Sequence, residues 1–261
     1  MRLAEIHIHP LKSCRSNLVS SALVEAMGLQ HDRRWMLVSD REGFLTGRQY
    51  PRMVLITASM DDRGVTFDAP GMDSLRVEIA DLRERQGVTV WQSGEFSAQV
   101  GSDEADFWFS DFLGANCRLV YTGADSTRRT RRDPEVPVSF ADGYPVLLIG
   151  TASLDELNGR LVQPVSMRHF RPNLVVETSV PFIEDSWRHI RIGGVVFENL
   201  KPCSRCLFTT VDPDTATPAA DRQPLETLNN YRRTEDGTMF GVNLVARSLG
   251  RLQLGDAVEL V

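Results

Sequence analysis

The sequence predicts a β-rich α+β fold, and three patterns support this prediction. Short runs of alternating polar and apolar residues recur through the first hundred positions, with turn-forming segments between them. Residues 103–112 place their apolar side chains along one side of a helix. The second half mixes strand patterns with short helical ones. Closely spaced strands joined by polar turns are typical of a barrel or sandwich, so we expect a β-barrel-like N-terminal part.

The strands and helices can be assigned in chain order. Strands are predicted first at 2–9, 20–25, 35–39, 54–58, 65–68, 75–79 and 88–92. The helix over 103–112 ends before Gly114, because glycine readily adopts the left-handed conformation that closes a helix. Strands then follow at 119–121, 146–149, 174–177, 189–192, 195–198, 241–246 and 257–261.

Two shorter helices are predicted in the second half. One spans 153–161, where Ser153 and Glu156 form a capping-box pattern. The other spans 223–231, with Pro224 near its first turn. A change in sequence texture predicts a domain boundary near residue 118, with domains at 1–118 and 119–261.

The composition disfavours several classes of protein. Hydrophobic residues make up 42% and charged residues 25% of the chain, and no apolar stretch approaches the ~20 residues that span a bilayer. A net charge of -6 disfavours a dedicated nucleic-acid binder, which normally carries a basic excess. The first residues alternate and lack the apolar core of a secretory signal, so we expect a cytoplasmic location.

One basic cluster contrasts with this acidic balance. It consists of Arg128, Arg129, Arg131 and Arg132. Runs of like charge usually form solvated loops. Beside a functional site, such a cluster can also steer or dock an anionic partner. The sequence leaves both interpretations open.

The most specific local pattern is the pair Cys203 and Cys206, separated by two residues. In a reducing cytoplasm we expect thiols rather than disulfides. A structural zinc site would need further ligands with finger-like spacing, which the five histidines do not supply. A redox dithiol would precede a helix, whereas the residues after Cys206 predict a strand that ends in a turn. Taken alone, such a pair is most often two packed thiols.

Seven segments, spread in order over the whole chain, together resemble one family. They are His9-Pro10-Leu11-Lys12-Ser13-Cys14, Asp32-Arg33-Arg34-Trp35, Gly47-Arg48-Gln49 with Pro51-Arg52, Asp142-Gly143-Tyr144-Pro145, Phe170-Arg171-Pro172-Asn173, Glu184-Asp185-Ser186-Trp187, and the stretch from Cys203 that continues to Phe240-Gly241. In this combination the chain resembles the MOSC-domain molybdenum enzymes, in particular the amidoxime-reducing component family. The resemblance implies an N-terminal β-barrel-like domain followed by a MOSC domain, a β-barrel with surrounding helices.

The resemblance also implies a set of site residues. Cys206 would be the thiolate ligand of a molybdenum ion held by a pterin cofactor, and soft sulfur suits such a metal. The residues implied to bind the cofactor's phosphate and ring system are Lys12, Ser13, Arg33, Gly143, Tyr144, Arg171, Asn173, Ser204, Arg205 and Asn243. Asp142 either donates a proton as a catalytic residue or holds its own turn by a side-chain hydrogen bond.

The implied activity is a molybdenum-cofactor-dependent reduction of N-hydroxylated compounds: amidoximes, hydroxylamines and N-hydroxylated nucleobases. Removing the oxygen as water consumes two electrons and two protons. Because no cysteine follows Cys206, the chain lacks the ligands of a ferredoxin cluster. We therefore expect a separate cytochrome b5-like or ferredoxin-like carrier with its reductase. The alternative is a MOSC-type carrier of molybdenum cofactor or sulfur without reductase turnover.

Overall fold

The structure is a computed structural model that describes residues 1–40, 43–123 and 126–261. Within these ranges the helices are α1 (Asp103–Leu113), α2 (Thr151–Asn158) and α3 (Leu225–Tyr231). The strands are β1 (Leu3–Ile8), β2 (Asn17–Val19), β3 (Ser21–Glu25), β4 (Gly28–Leu29), β5 (Trp35–Ser39), β6 (Gly43–Phe44), β7 (Thr57–Met60), β8 (Gly64–Asp68), β9 (Leu75–Glu78), β10 (Arg83–Thr89), β11 (Glu95–Val100), β12 (Arg118–Tyr121), β13 (Val146–Gly150), β14 (Leu174–Val176), β15 (His189–Ile192), β16 (Val195–Arg205), β17 (Arg233–Thr234), β18 (Gly237–Ala246), β19 (Gly250–Gln253) and β20 (Val258–Leu260). The predicted β-rich α+β class is confirmed.

The strands form four sheets. The largest has the order β2-β1-β14-β13-β18-β16-β15-β20, with β17 paired to β18. A second sheet has the order β10-β11-β12-β5-β6, and two small sheets have the orders β19-β3-β4 and β7-β8-β9. In the large sheet β13 and β14 are parallel, whereas β18 is antiparallel to both β13 and β16. The segments that precede β13 and β14 therefore lie side by side.

The two predicted domains contribute strands to the same sheets. β12, which begins at residue 118, pairs with β5, and β1 pairs with β14. β19, near the C-terminus, pairs with β3. The division into domains at 1–118 and 119–261 stays a prediction.

Helix α1 follows its sequence signals. The Ser102 hydroxyl accepts a hydrogen bond from the Ala105 amide at 3.2 Å and so caps the first turn. Gly114 closes the helix in the left-handed conformation, with φ 66°. The apolar side buries Trp108, Phe109 and Phe112 in one core cluster with Trp35 and other residues of the first half. A second cluster lies on the large sheet, around residues such as Leu148 and Phe197.

The predictions for residues 54–58 and for Ser153 are wrong. In place of a strand over 54–58, a 3-10 helix spans Pro51–Leu55 and β7 begins only at Thr57. Pro51 has the fixed φ that suits a first helical turn. The capping box at Ser153 is also wrong, since Gly150 occupies the cap position and Ser153 lies inside α2. Its hydroxyl instead donates to the Glu184 carboxylate at 2.7 Å, an interaction between distant segments that local spacing could not reveal.

Strand β16 is longer than predicted, and it changes the surroundings of the cysteine pair. The strand continues past residue 198 to Arg205, and shifts in its pairing with β18 accommodate Pro202. After Cys206 the chain forms a 3-10 helix, Leu207–Thr210, rather than the predicted strand. The Thr209 hydroxyl donates to the Cys206 carbonyl at 2.9 Å and stabilises this turn. Cys206 thus lies where an extended strand bends sharply.

No helix in the described ranges is both apolar enough and long enough to cross a membrane.

Candidate active site

Every residue predicted for the site lines one cavity of about 310 Å³. Its lining includes Lys12, Ser13, Arg33, Asp142, Gly143, Tyr144, Arg171, Asn173, Ser204, Arg205, Cys206 and Asn243. These residues come from the loop after β1, the loop before β5, the segments before β13 and β14, the end of β16, and β18. The fold therefore gathers segments that are widely separated in the sequence.

The large sheet supplies the floor of the cavity. Leu147 on β13 pairs with Asn243 on β18, which in turn pairs with Lys201 on β16, and all three line the cavity. Asn173 fixes the neighbouring segment, because its Oδ1 accepts the Leu147 amide at 3.1 Å and its Nδ2 donates to the His7 carbonyl at 3.2 Å. Asn173 is 1% exposed, so these bonds act in a dry environment where they hold the segment firmly.

Four cavity residues hold a left-handed backbone conformation that is rare outside glycine. They are Ser13 (φ 69°), Arg33 (φ 51°), Trp91 (φ 53°) and Arg171 (φ 56°). Each such residue costs of order 1 kcal/mol or more, and they persist only where surrounding contacts enforce them. Strain of this kind concentrates at functional sites, and here four strained residues surround one cavity.

The cavity is strongly cationic. Among its described lining residues, six carry positive charge and Asp142 is the one carboxylate. The positive side chains are Lys12, Arg33, Arg48, Arg171, Lys201 and Arg205. Like charges held close together repel, so an anion that enters this cavity relieves the repulsion and gains several charge-assisted hydrogen bonds.

Arg171 provides the clearest indication that the cavity can bind an anion. Its Nη1 donates to the Cys14 carbonyl at 2.6 Å, while its buried Nη2 has no hydrogen-bond partner in the described parts of the chain. Burial and the neighbouring Arg33 lower the Arg171 pKa. A buried donor without a partner costs about 1–3 kcal/mol, which a ligand oxygen would recover.

Arg33 is held by a buried carboxylate. It donates to Asp32 and, at 3.1 Å, to Oδ1 of Asn173. Burial works against the charge of Asp32, but Arg33 and hydrogen bonds from His9 lower its pKa to about 2. The ionised Asp32 therefore keeps the Arg33 guanidinium oriented at the cavity.

Lys12 and Asp142 form an ion pair at the cavity. The Lys12 ammonium donates to Asp142 Oδ1 at 2.5 Å and to the Phe140 carbonyl at 2.8 Å. Burial lowers the Lys12 pKa to about 8, despite the opposing effect of Asp142. Desolvation would raise the Asp142 pKa, but the Lys12 charge and hydrogen bonds from Lys12 and Trp91 hold it below its ordinary value. Asp142 is therefore an acceptor at neutral pH and bonds outside its own turn.

Arg128 fits neither of the two interpretations of the basic cluster that the sequence left open. It is 5% exposed, and its guanidinium donates to the carbonyls of residues 139, 141 and 142. It is thus neither solvated nor free to dock a partner, and it supports the loop that carries Asp142. Arg129, Arg131 and Arg132 are exposed, and the last of these also donates to the Leu200 carbonyl at 2.8 Å.

The two cysteines of the pair have different surroundings. Cys206 is an exposed free thiol that lines the cavity. Cys203 also lines the cavity, but it is half-buried, packs against the apolar cluster of Phe170 and Phe240, and lies 3.1 Å from Nη1 of Arg205. No group of three or more His, Cys, Asp or Glu side chains in the described chain is arranged to hold a metal.

Sequence reasoning missed several residues of the cavity. The main ones are Thr46, Arg48, Trp91, Lys201, Phe208 and Thr209. Arg48 lies in one of the matched segments, and Phe208 and Thr209 follow Cys206, so proximity to a motif could have identified these three. Trp91 gave no local signal, because it was assigned to a strand over 88–92, whereas β10 ends at residue 89 and Trp91 lies in the turn beyond it.

The residues fit a phosphorylated cofactor with a sulfur-ligated metal. The unpartnered donor of Arg171 and the surrounding cations match phosphate oxygens, which accept forked guanidinium bonds well. The exposed Cys206 thiol offers a soft ligand in the same cavity. Asn173, Ser204 and Asn243 add hydrogen-bonding groups for a polar ring.

Two family models match the chain and together span most of it. The MOSC N-terminal beta barrel domain matches residues 1–116, and the MOSC domain matches residues 135–259. Among solved structures, the YUAD protein from Bacillus subtilis aligns with 98% of this chain and 93% of its own at 9% identity, with a TM-score of 0.43. That similarity is too distant to bear on function.

Curated relatives match over nearly the whole chain. The mitochondrial amidoxime-reducing component 1 of Mus musculus is 33% identical over 99% of this chain and 82% of its own length. The mitochondrial amidoxime reducing component 2 of Homo sapiens is 34% identical over 98% of this chain and 82% of its own. The mitochondrial amidoxime-reducing component 1 of Danio rerio is 34% identical over 98% of this chain and 83% of its own length. With both MOSC models matched and this identity sustained along its length, the chain belongs to the amidoxime-reducing component family of MOSC-domain proteins.

Proposed function

We propose that this chain is a molybdenum-cofactor-dependent reductase that removes oxygen from N-hydroxylated compounds, namely amidoximes, hydroxylamines and N-hydroxylated nucleobases. The observation that carries the proposal is the exposed Cys206 thiol in a cavity that also holds six cationic side chains. The names of the relatives support the same class of reaction. Together these features favour a redox cofactor site over a simple anion-binding site.

The proposal gives each group of residues a task in binding. Cys206 would ligate the metal, because a metal-bound thiol is deprotonated and binds strongly. Arg33, Arg171 and Ser13 would hold the phosphate, with the unpartnered Nη2 of Arg171 as one donor. Hydrogen bonds from Asn173, Gly143, Tyr144, Ser204, Arg205 and Asn243 would orient the ring system, whereas Lys12 would add charge. When bound, the cofactor supplies the two-electron chemistry.

Protons for the reaction come from this chain or from water. The Lys12 ammonium carries a proton at Nζ, and with a pKa near 8 it can release that proton close to neutral pH. Asp142, whose pKa is held low, accepts hydrogen bonds and orients this ammonium. We therefore propose that Lys12 donates the proton. Asp142 belongs to the same catalytic group and orients Lys12 by accepting its hydrogen bond.

Electrons would arrive from a separate cytochrome b5-like or ferredoxin-like protein with its reductase. Arg129, Arg131 and Arg132 are exposed and offer positive charge to an acidic partner. Burial raises the Tyr144 pKa, and the charges of Arg132 and Arg131 oppose this rise, so both arginines lie near this cavity residue. A cytoplasmic location stays a prediction.

The reaction is tested by assaying benzamidoxime reduction with a chemical electron donor. Protein loaded with molybdenum cofactor is expected to produce benzamidine, and Cys206→Ala is expected to be inactive. Cys203→Ala is the matched control and is expected to keep activity, since Cys203 packs against apolar side chains. The proposal fails if the loaded protein has no turnover, and release of sulfane sulfur by metal-free protein would favour the carrier function instead.

A further inference from the structure

A second, smaller cavity adjoins the proposed cofactor cavity and is lined by three arginines. Its volume is about 20 Å³, and Arg15, Arg168 and Arg171 contribute to its wall. Arg171 lines both cavities, whereas Arg15 and Arg168 line only the smaller one. No carboxylate is among the described residues that line it, and its other polar side chains, Ser16 and two histidines, carry no negative charge. The wall of the smaller cavity is therefore positively charged.

Asp214 compensates only part of this charge. Arg15 donates to the Asp214 carboxylate at 3.2 Å, and Arg168 donates to the same carboxylate at 2.9 Å. Both arginines also donate to the Pro213 carbonyl at 3.1 Å. A single carboxylate thus faces two guanidinium groups, and its side chain is 61% exposed, so solvent screens its charge. With Arg171 included, the three arginines keep an excess of positive charge.

Two buried nitrogens of these arginines lack a hydrogen-bond acceptor. They are Nε of Arg15 and Nη2 of Arg171, and neither has a partner within residues 1–40, 43–123 and 126–261. A buried donor without a partner is costly, so a ligand that accepts from both nitrogens gains free energy. A guanidinium has five N–H groups, two of them on Nη2, so Arg171 can donate to one ligand in each cavity.

The volume of the smaller cavity limits the ligand to a single atom. A cavity of this size has room for about one water-sized sphere, which excludes phosphate, sulfate and organic carboxylates. A chloride ion is only slightly larger than a water molecule, carries negative charge and accepts several N–H hydrogen bonds. A water molecule also fits, but it leaves the positive charge of the arginines uncompensated. Size and charge together therefore favour chloride.

We propose that the smaller cavity is a chloride site, in which Nε of Arg15 and Nη2 of Arg171 donate to the ion and Arg168 adds positive charge. The bound ion offsets the repulsion among the three guanidinium groups. It also connects the loop after β1, which carries Arg15, to the segment before β14, which carries Arg168 and Arg171. Chloride thereby holds Arg171 in place at the cofactor cavity, and this role does not depend on the proposed reductase activity.

The position of the ion is tested with bromide, which takes the place of chloride and is located by its anomalous scattering. Crystals of the full chain grown with sodium bromide and sulfate are expected to show a bromide ion in the smaller cavity, in contact with Arg15 and Arg171. Sulfate is expected only in the larger cavity, because it does not fit the smaller one. A water molecule in the smaller cavity, without anomalous signal, would overturn the proposal.

Binding in solution is measured by the protein-induced broadening of the chloride NMR resonance. Saturating sulfate is added so that the larger cavity is occupied and the remaining broadening reports on the smaller one. The unaltered chain is expected to show broadening that saturates as the chloride concentration rises. Broadening that does not saturate would mean that no specific site is present.

Two variants separate the size of the cavity from its hydrogen bonds. Val54 lines the smaller cavity, so Val54→Ile adds a carbon there and keeps every charge. It is expected to weaken chloride binding at least about tenfold, because little space remains for the ion. Arg15→Lys keeps the charge but removes the Nε donor, and it is expected to weaken binding by about three- to tenfold.

Arg251→Met is the matched control, since Arg251 is exposed on β19 and lines neither cavity. It is expected to bind chloride as the unaltered chain does. Sulfate binding to the larger cavity, measured by calorimetry, shows that each variant is folded. Loss of chloride binding in Val54→Ile and Arg15→Lys but not in Arg251→Met would support the site. Unchanged chloride binding in both Val54→Ile and Arg15→Lys would refute it.

Discussion

Gly47 lies directly against the ring of Phe208. A Cβ built on Gly47 would come within 2.3 Å of two ring carbons of Phe208, so only glycine fits without displacement of that ring. Phe208 lies two residues after Cys206, and its ring centroid is 5.3 Å from the Arg171 guanidinium. The Gly47 contact thus joins the loop that presents Arg48 to the turn that presents Cys206.

Gly47→Ala is therefore expected to reduce the free energy of unfolding by about 1–3 kcal/mol, the usual cost of overpacking. Urea denaturation measures this change. Gly194→Ala is the control, because a Cβ at Gly194 meets no atom within 4 Å and its free energy of unfolding should change by less than about 0.5 kcal/mol. Equal stability of the two variants would show that Phe208 yields freely.

Arg128→Met tests the support of the Asp142 loop. Three carbonyls that accept hydrogen bonds from the Arg128 guanidinium would lose their donor inside the protein. We expect the free energy of unfolding to fall by about 3 kcal/mol, because buried acceptors are left without partners. Arg131→Met, at an exposed position of the same cluster, should change stability by less than about 0.5 kcal/mol. Similar losses in both variants would contradict the distinction between Arg128 and its neighbours.

The lowered pKa of Asp32 predicts that the folded protein loses stability in acid. Its pKa of about 2 in the folded protein lies below the ordinary value of 3.8, so its contribution is present above pH 4 and is lost as pH falls towards 2. Asp32→Asn is expected to lose about 2 kcal/mol at pH 7 and to show a flatter decline between pH 4 and pH 2. Denaturation at a series of pH values measures both effects. An unchanged acid branch would mean that Arg33 does not stabilise the Asp32 charge.

The lowered pKa of Lys12 predicts that anion binding weakens as pH rises. Its pKa of about 8 lies below the ordinary 10.5, so the ammonium loses its proton, and the cavity loses positive charge, as pH rises through 8. The affinity for sulfate, an anion whose charge is constant in this range, is expected to fall about three- to tenfold between pH 7 and pH 9. Lys12→Met should bind sulfate more weakly at pH 7 and lose less affinity by pH 9, because the ammonium that titrates near pH 8 is absent. Calorimetry with a steep fall in this variant as well would assign the titration to another group.

Much of the fold was predictable because its signals are local. The strand predicted over 75–79 alternates between buried and outward-facing residues, and α1 has both a serine cap and a closing glycine, so periodicity and capping chemistry defined these elements. The helix cap at Ser153 and the strand after Cys206 were predicted wrongly, because contacts between distant segments outweigh the local sequence pattern. The Ser153 hydroxyl bonds to Glu184, and the strand β16 bends only after its long pairing with β18.

The site residues were predicted through their combination in matched segments, since no single motif identifies a cavity. Every residue so predicted lines the cavity. Trp91 could not be found in this way, because its position depends on the β10–β11 turn, on Arg48 and on Asp142 together. The burial of Arg128 was equally hidden, because a run of arginines gives no indication of which member turns inward.

The coordination of the metal by Cys206 can be measured directly. X-ray absorption at the molybdenum edge, on protein expressed in a host that makes the cofactor, counts the sulfur ligands. The unaltered chain and Cys203→Ala are predicted to show the same sulfur coordination, and Cys206→Ala to show one sulfur ligand fewer. Identical spectra for all three proteins, or protein that holds no molybdenum, would contradict the account.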